Sequence, residues 1–321
     1  MVANDGGGPR VQIARPSAVV VVWVPAEDRR RAVELLEEEE AGEAVGEGEA
    51  AEGEEAIGAA AIVVVNGFFP ALWILLTSLK TEAELVTRPI TWIPRNPTLD
   101  NYVAAFTDQP LLKFLANSAA VAAISTVVTL IVSALAAYAI ARLNLRHRQW
   151  ILTAIVASSM FPLITLLVPI FETMRGLGLL NTYLALVLPY TVLSLPVCTL
   201  VLVSFFQSIP RDIENAAMID GCTRLGALWR VVVPLAAPGV FTAGILSFVN
   251  AWDEFLLALS LNSNPSMRTL PVGITLYQTE FVFPWPVISA ALVVAIVPIA
   301  VLIAVFQERV VSGLTQGGLK G

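Results

Sequence analysis

Six stretches of the chain stay predominantly apolar over a helix-length run, near residues 57–79, 115–141, 150–171, 182–206, 236–261 and 286–306. A helix rises 1.5 Å per residue, so about 20 such residues cross the roughly 30 Å hydrocarbon core of a bilayer. Few or no charges interrupt the six. Several carry internal Pro or Gly, which membrane helices tolerate because neighbouring helices re-satisfy the freed backbone groups. The third stretch holds both Pro162 and Pro169. The pattern predicts an all-α integral membrane protein with six transmembrane helices.

Orientation follows from the Lys and Arg residues, because positively charged loops stay on the cytoplasmic side. With both termini cytoplasmic, the inner segments hold 5 (before the first span), 3 (142–149), 3 (207–235) and 2 (307–321), and the outer loops hold 4, 1 and 1. The short loop with Arg142, Arg146 and Arg148 contains no acid and is the clearest part of this asymmetry.

Residues 1–56 have a different composition. Between Glu27 and Glu55 stand 13 acidic residues against three Arg, set among Ala and Gly. Such a segment cannot bury enough apolar surface to offset its chain entropy, so it reads as a disordered acidic extension ahead of a six-helix domain at 57–321. A cytoplasmic regulatory tail, or sequence ahead of the true start, are the alternatives. The run Ala18 to Val24 is too short to span and lacks a signal-peptide cleavage site.

Composition then narrows the chemistry. With 321 residues, 56% apolar side chains and only 14% charge, the chain is too apolar for a soluble domain. Its mean hydropathy is +0.75. The net charge of −7 comes mostly from the extension, which holds 14 of the 26 acids, and says little about any ligand. Cys198 and Cys222 form neither a disulfide framework nor a metal-ligand spacing. There is no GxxxxGK[ST] phosphate loop, HExxH or GxSxG, and the single histidine, His147, lies in a basic turn without a carboxylate partner. No catalytic residue and no metal site is expected. Uphill movement of a solute would draw its energy from another chain or from an ion gradient.

The loop between the fourth and fifth stretches, residues 209–239, bears on that choice. It reads Ile209-Pro-Arg-Asp-Ile-Glu-Asn-Ala-Ala-Met-Ile-Asp-Gly221 and continues to Pro234, Pro238 and Gly239. The pattern predicts two short helices with a sharp turn at Gly221, where a residue without Cβ takes a positive φ and ends the first helix. Ala216 and Ala217 leave room for another surface to approach. Leu225, Leu228 and Trp229 recur at helical spacing and form an apolar ridge. The product is a protruding docking element, in which Gly221 is expected to resist a β-branched residue and Gly239 to tolerate Ala.

These residues resemble the cytoplasmic signature of the binding-protein-dependent ABC importer permeases: Glu-Ala-Ala, three residues, Gly, and about a dozen residues to a Leu-Pro or similar. Ala216, Ala217, Asp220, Gly221 and Pro234 match. Asn215 stands where the family usually has glutamate, with Glu214 immediately upstream; either Glu214 substitutes from the neighbouring helical position, or Asn215 makes a neutral hydrogen bond in its place. The segment from Trp92 to Tyr102, followed by Phe106, is similar to that of carbohydrate-importing permeases of the maltose-system type, with Pro97 and Thr98 suited to starting a short helix. Trp92 and Tyr102 also suit plain interfacial anchors. The C-terminal Gly317, Gly318 and Lys320 resemble the tail of the smaller maltose permease subunits, which reaches into the ATPase dimer.

The resemblance implies a type I importer permease in a bacterial inner membrane, paired with a second permease subunit, a cytoplasmic ABC ATPase dimer and an external solute-binding protein. ATP and Mg would be bound by the partner ATPase, with no cofactor in this chain and no nucleic acid among its partners. The loop would transmit ATPase closure through Glu214 or Asn215, Ala216, Ala217, Asp220, Gly221, Leu225, Trp229 and Pro234. For the solute path, Asn250, Asp253 and Glu254 fall at i, i+3 and i+4 on one helix face beside Trp252. Sugar contact and hydrogen bonding to a neighbouring helix are equally open readings of that face. Tyr277, Gln278 and Glu280 occupy the loop that meets the binding protein in the maltose type. The alternatives are an importer for a glycerol phosphodiester or polyol, or an ion-coupled secondary transporter.

Overall fold

In lipid a backbone N–H or C=O without a partner costs several kcal/mol, so apolar stretches of this length fold as helices that pair all their own groups. A computed structural model of the chain describes residues 10–15, 18–23, 58, 64–279 and 281–318, with backbone alone for the strands and for 307–318. Its helices are α1 (Val64–Ser78), α2 (Glu82–Leu85), α3 (Asp100–Thr107), α4 (Leu111–Arg142), α5 (Arg148–Ser159), α6 (Leu163–Gly176), α7 (Leu184–Ser208) and α8 (Arg211–Ile219). Next, α9 (Arg224–Ala227) passes through a π-helical turn, Leu228–Val232, into α10 (Val233–Leu235). The last four are α11 (Ala237–Asp253), α12 (Leu256–Leu261), α13 (Leu270–Ile274) and α14 (Trp285–Gly318).

Among the described residues three helices are each long and apolar enough to cross a membrane: α4, α7 and the Trp285–Phe306 part of α14. Two further helix pairs are long and apolar enough only when taken together, and each is sharply bent, as in a broken span or a re-entrant loop. Between α5 and α6 the axis turns by 91°, at Pro162, which has no N–H to donate and drives its predecessor out of helical conformation. The elbow between Arg224–Leu235 and α11 turns by 84°. The stretch expected as one helix to residue 261 stops at Asp253 and restarts at Leu256. Helix α1 is shorter than a crossing in its described part.

The N-terminal extension departs from expectation. Arg10–Arg15 and Ala18–Trp23 pair as an antiparallel two-stranded sheet, with Arg10 opposite Trp23 and Arg15 opposite Ala18. Four consecutive valines, Val19 to Val22, are stiff at χ1 and favour extended backbone. The acidic stretch from Glu27 to Glu55 lies outside the described residues. The chain divides into two units, Met1–Ala71 and Leu72–Gly321.

Within the second unit α4 is the central element, packed along α7 and α11, while α11 also lies on α7 and α14. Small residues make this possible. Ser118, Ala122 and Thr126, then Thr129, Ser133, Ala137 and Ala141, recur every fourth position on the buried face of α4, and such a stripe lets helix backbones approach closely. Two apolar clusters result. One, near the start of α4, gathers Phe114, Val121, Leu186, Trp252, Leu257 and Leu270. The other, near its end, gathers Tyr138, Cys198, Leu202, Phe206, Leu228 and Val232.

Candidate functional site

The loop after α7 is built as its residues dictate. Helix α8 ends in a Schellman turn: Cys222 N–H donates to Ala217 O at 3.0 Å and Gly221 N–H to Met218 O at 3.1 Å, with Gly221 at φ +93°. Only a residue without Cβ takes that conformation at no steric cost. Thr223 Oγ1 then accepts from Gly226 N–H at 3.1 Å and caps α9.

Glu214 is buried, and it does not face outward with the rest of α8. Its Oε1 accepts from Tyr138 Oη at 2.5 Å, and its Oε2 lies 3.1 Å from Arg142 Nε. Arg142 also donates from Nη2 to Ile209 O at 3.0 Å. Thus the carboxylate fastens α8 to the last turn of α4. Glu214 thus points away from the exposed face of α8. Asn215, Ala216, Asp220 and Gly221 are exposed there and Ala217 half-buried, with Ile219 86% exposed at the tip. The apolar ridge divides: Leu225 and Trp229 face outward, whereas Leu228 is fully buried. Pro234 is exposed inside α10.

Gly239 corrects one expectation. It is buried, and a Cβ built there would overlap the Phe205 ring and come within 2.8 Å of Phe205 Cβ. A Cβ on Gly221 would meet nothing within 4 Å. Conformation restricts Gly221, and space restricts Gly239, which is therefore the less tolerant of Ala on packing grounds.

At the other end of α11 the proposed common face of three polar residues does not form. The helix breaks at Glu254, with φ −68° and ψ 125°, so only Asn250 and Asp253 share an exposed face. Glu254 turns inward. Its Oε1 accepts from Leu257 N–H at 2.8 Å and its Oε2 from Ala258 N–H at 3.1 Å, capping α12. Tyr190 Oη of α7 donates to Oε2 at 2.6 Å. Trp252 is buried and stacked on Phe248, centroids 5.7 Å apart. A cavity of about 230 Å³ lies beside Trp252 and Asp253, walled by Leu270, Ile274 and Ile299.

Tyr277 is not a free surface residue: it is buried and donates its hydroxyl to Ala105 O. Burial, with the Asp108 carboxylate as a lesser cause, pushes its phenol up to about 12. Gln278 is exposed. Glu280 and Lys320 lie outside the described residues, and Gly317 and Gly318 are the last residues of α14.

A polar cluster that sequence reasoning missed organises residues 78–102. Lys80 is buried, donates to Thr91 O, and stands 4.8 Å over the Trp73 ring. Glu84 Oε1 accepts from Arg95 N–H at 2.8 Å and from Thr91 Oγ1 at 2.9 Å. Those bonds, the Arg95 amide foremost, hold the Glu84 carboxyl below its ordinary value against the opposing effect of burial. Asn101 bridges Ser78 O and Lys80 O, both at 2.8 Å. Tyr102 bonds Ser78 at 2.8 Å, so it locks the loop in addition to any interfacial role. The short helix expected near Pro97 and Thr98 begins at Asp100, whose N–H Thr98 Oγ1 accepts at 3.1 Å.

Residues 130–316 match the family described as binding-protein-dependent transport system inner membrane component. The chain is 74% identical, over 82% of its length and 92% of the relative, to the sulfoquinovosyl glycerol transport system permease protein SmoH of Agrobacterium fabrum. It is 40% identical, over 81% of its length and 95% of the relative, to the trehalose transport system permease protein SugB of Mycobacterium tuberculosis. A chain in the crystal structure of a bacterial ABC transporter involved in the import of the acidic polysaccharide alginate superposes with a TM-score of 0.69 at 20% identity, covering 89% of this chain and 99% of that one.

Proposed function

The chain belongs to the binding-protein-dependent transport system inner membrane components, and from that premise we propose that it forms one half of the translocation path of an ATP-driven importer for a sugar glycoside. Membership makes it a multi-pass membrane transport subunit, an ABC importer permease, and not an enzyme. The observation that carries the substrate is the 74% identity to a permease for sulfoquinovosyl glycerol across nearly the whole of that protein. Sulfoquinovosyl glycerol is the first candidate, ahead of trehalose.

In this reading six crossings are made by α1, α4, the bent pair α5 and α6, α7, α11 with α12, and α14, with both termini cytoplasmic in a bacterial inner membrane. The 13 to 6 division of Lys and Arg between inner and outer segments supports that orientation. The loop 209–239 then faces the cytoplasm and meets an ABC ATPase that binds ATP and Mg, while the exposed Gln278 faces the solute-binding protein. A second permease subunit completes the path, which Asn250 and Asp253 line near its outer end. Ile219, Leu225 and Trp229 supply the apolar contact that couples ATPase closure to the elbow before α11, and the two states must differ in those contacts for coupling to occur.

The test is reconstitution with the second permease, the ATPase and the binding protein in liposomes. ATP-dependent uptake of labelled sulfoquinovosyl glycerol, competed weakly by trehalose, is the expected result. Uptake that follows an ion gradient without ATP would refute the permease reading. Uptake of a non-sugar solute in preference to both would refute the substrate.

A further inference from the structure

Between α4, α8 and the start of α9 lies a cavity of about 120 Å³, walled by Tyr138, Arg142, Arg211, Glu214, Asn215 and Arg224. Its charge is unbalanced. Glu214, the one carboxylate in the wall, is committed to Tyr138 and Arg142. Among the described residues Arg211 makes a single long hydrogen bond, to Ala141 O at 3.5 Å. Arg224 makes no ion pair among the described residues, and neither Asp212 nor Asp220 pairs with it or with Arg211. Asn215 contributes a neutral amide where a glutamate would have cancelled a charge. Three guanidinium groups therefore face one carboxylate, and Arg211 and Arg224, which form no ion pair among the described residues, are exposed and open to a partner from outside.

Size and surroundings limit what can balance them. A water occupies about 30 Å³ of liquid, so the space holds a few atoms, the scale of a carboxylate head. Guanidinium groups bind carboxylates through two parallel N–H bonds, the strongest polar pairing available to a side chain. Leu143 and Met218 complete the wall, and the same loop carries the exposed apolar residues Ile219, Leu225 and Trp229.

We infer that this cavity is the socket for one acidic side chain, Asp or Glu, presented by the docked ATPase. The polarity is the reverse of a family arrangement in which the permease supplies the acid at the Asn215 position. The inference rests on the permease reading above and deepens it. It makes Arg211 and Arg224 the residues that choose a partner, because opposite charges steer encounter and suppress wrong pairings.

The experiment uses the assembled importer purified in nanodiscs, carrying Arg211→Lys or Arg224→Lys. A carbodiimide joins a lysine amine to a carboxylate only when the two touch, and mass spectrometry then identifies the joined peptides. The expected product is an amide between residue 224 or 211 and an Asp or Glu of the ATPase. In parallel, the double variant Arg211→Gln with Arg224→Gln should lose ATPase retention by about tenfold and show a flatter dependence on salt. If the wild-type importer retains its ATPase but the cross-link forms only with Asp212, Glu214 or Asp220, with a lipid, or not at all, the inference is overturned while the permease reading stands. An importer that assembles without any ATPase overturns both.

Discussion

Replacing Glu214 with Ala is the most informative single change, because the structure makes this carboxylate the fastening of α8 to α4. Glu214 and Arg142 are 8% and 4% exposed at their side chains, so removing the acid strands a buried guanidinium and leaves Tyr138 Oη without its acceptor. Breaking a buried pair by deleting one partner costs about 3–5 kcal/mol, and the lower end applies here because the cavity beside it admits water. About 3 kcal/mol corresponds to a shift of roughly 150-fold between docked and undocked α8. Amide hydrogen exchange across residues 209–221 in the reconstituted importer reads that shift directly. Glu214→Ala should raise exchange there by about two decades without changing α4 or α7, and uptake should fall with it. Glu214→Gln keeps an acceptor for Tyr138 and should lie between. The double variant Arg142→Met with Glu214→Met removes both charges and should recover much of the docking, since apolar replacement of a whole buried pair is often neutral. Unchanged exchange in Glu214→Ala, or a double variant worse than either single one, would refute the assignment of this pair as the fastening.

Gly221→Val should cost about 1–2 kcal/mol through its positive φ and loosen ATPase retention with normal membrane insertion, whereas Gly239→Ala should lower the melting temperature of the subunit itself, because overpacking against Phe205 costs about 1–3 kcal/mol; equal melting temperatures for Gly239→Ala and wild type would contradict the packing. The loop at 78–102 should be acid-sensitive: Glu84 holds its proton less tightly folded than unfolded, so its contribution is present above the unfolded carboxyl value and is lost as pH falls through the lowered folded one. Exchange across that loop should rise on acidification in wild type and lose its pH dependence in Glu84→Gln. Removing residues 1–56 should leave uptake near wild type at equal membrane levels, as measured by labelled substrate in proteoliposomes.

Much of the architecture was legible because lipid leaves few choices. The long apolar runs of α4, α7 and α14 read directly as helices, and the turn at Gly221 was legible because a glycine between two short helical patterns is a local signal. What escaped depends on residues distant in sequence. Glu214 and Tyr138 are 76 positions apart, and no local pattern distinguishes an acid that turns inward from one that faces a partner. One signal was available: Arg142 ends an apolar helix and invites an opposite charge. The break at Glu254 has no proline or glycine to announce it, and the Tyr190 hydroxyl that bonds its carboxylate is 64 positions away. The tight fit of Gly239 comes from Phe205 on another helix, and the burial of Lys80 from Trp73 and Thr91 meeting over it.

These contacts also decide how the two ends of α11 communicate. Its residues span roughly 25 Å at 1.5 Å per residue, and α7 grips it at both ends, with Phe205 against Gly239 and Tyr190 on Glu254. Between those grips Cys198 Sγ donates to Ala243 O at 3.4 Å. A helix held at three heights by the same neighbour does not slide along it without breaking all three contacts. A displacement of α11 at the elbow near Ala236 would therefore have to carry α7 with it or break these contacts. The carboxylate at the break is half-buried and is bonded by three donors, Tyr190 Oη, Leu257 N–H and Ala258 N–H, so it ties the start of α12 to α7 where α11 ends.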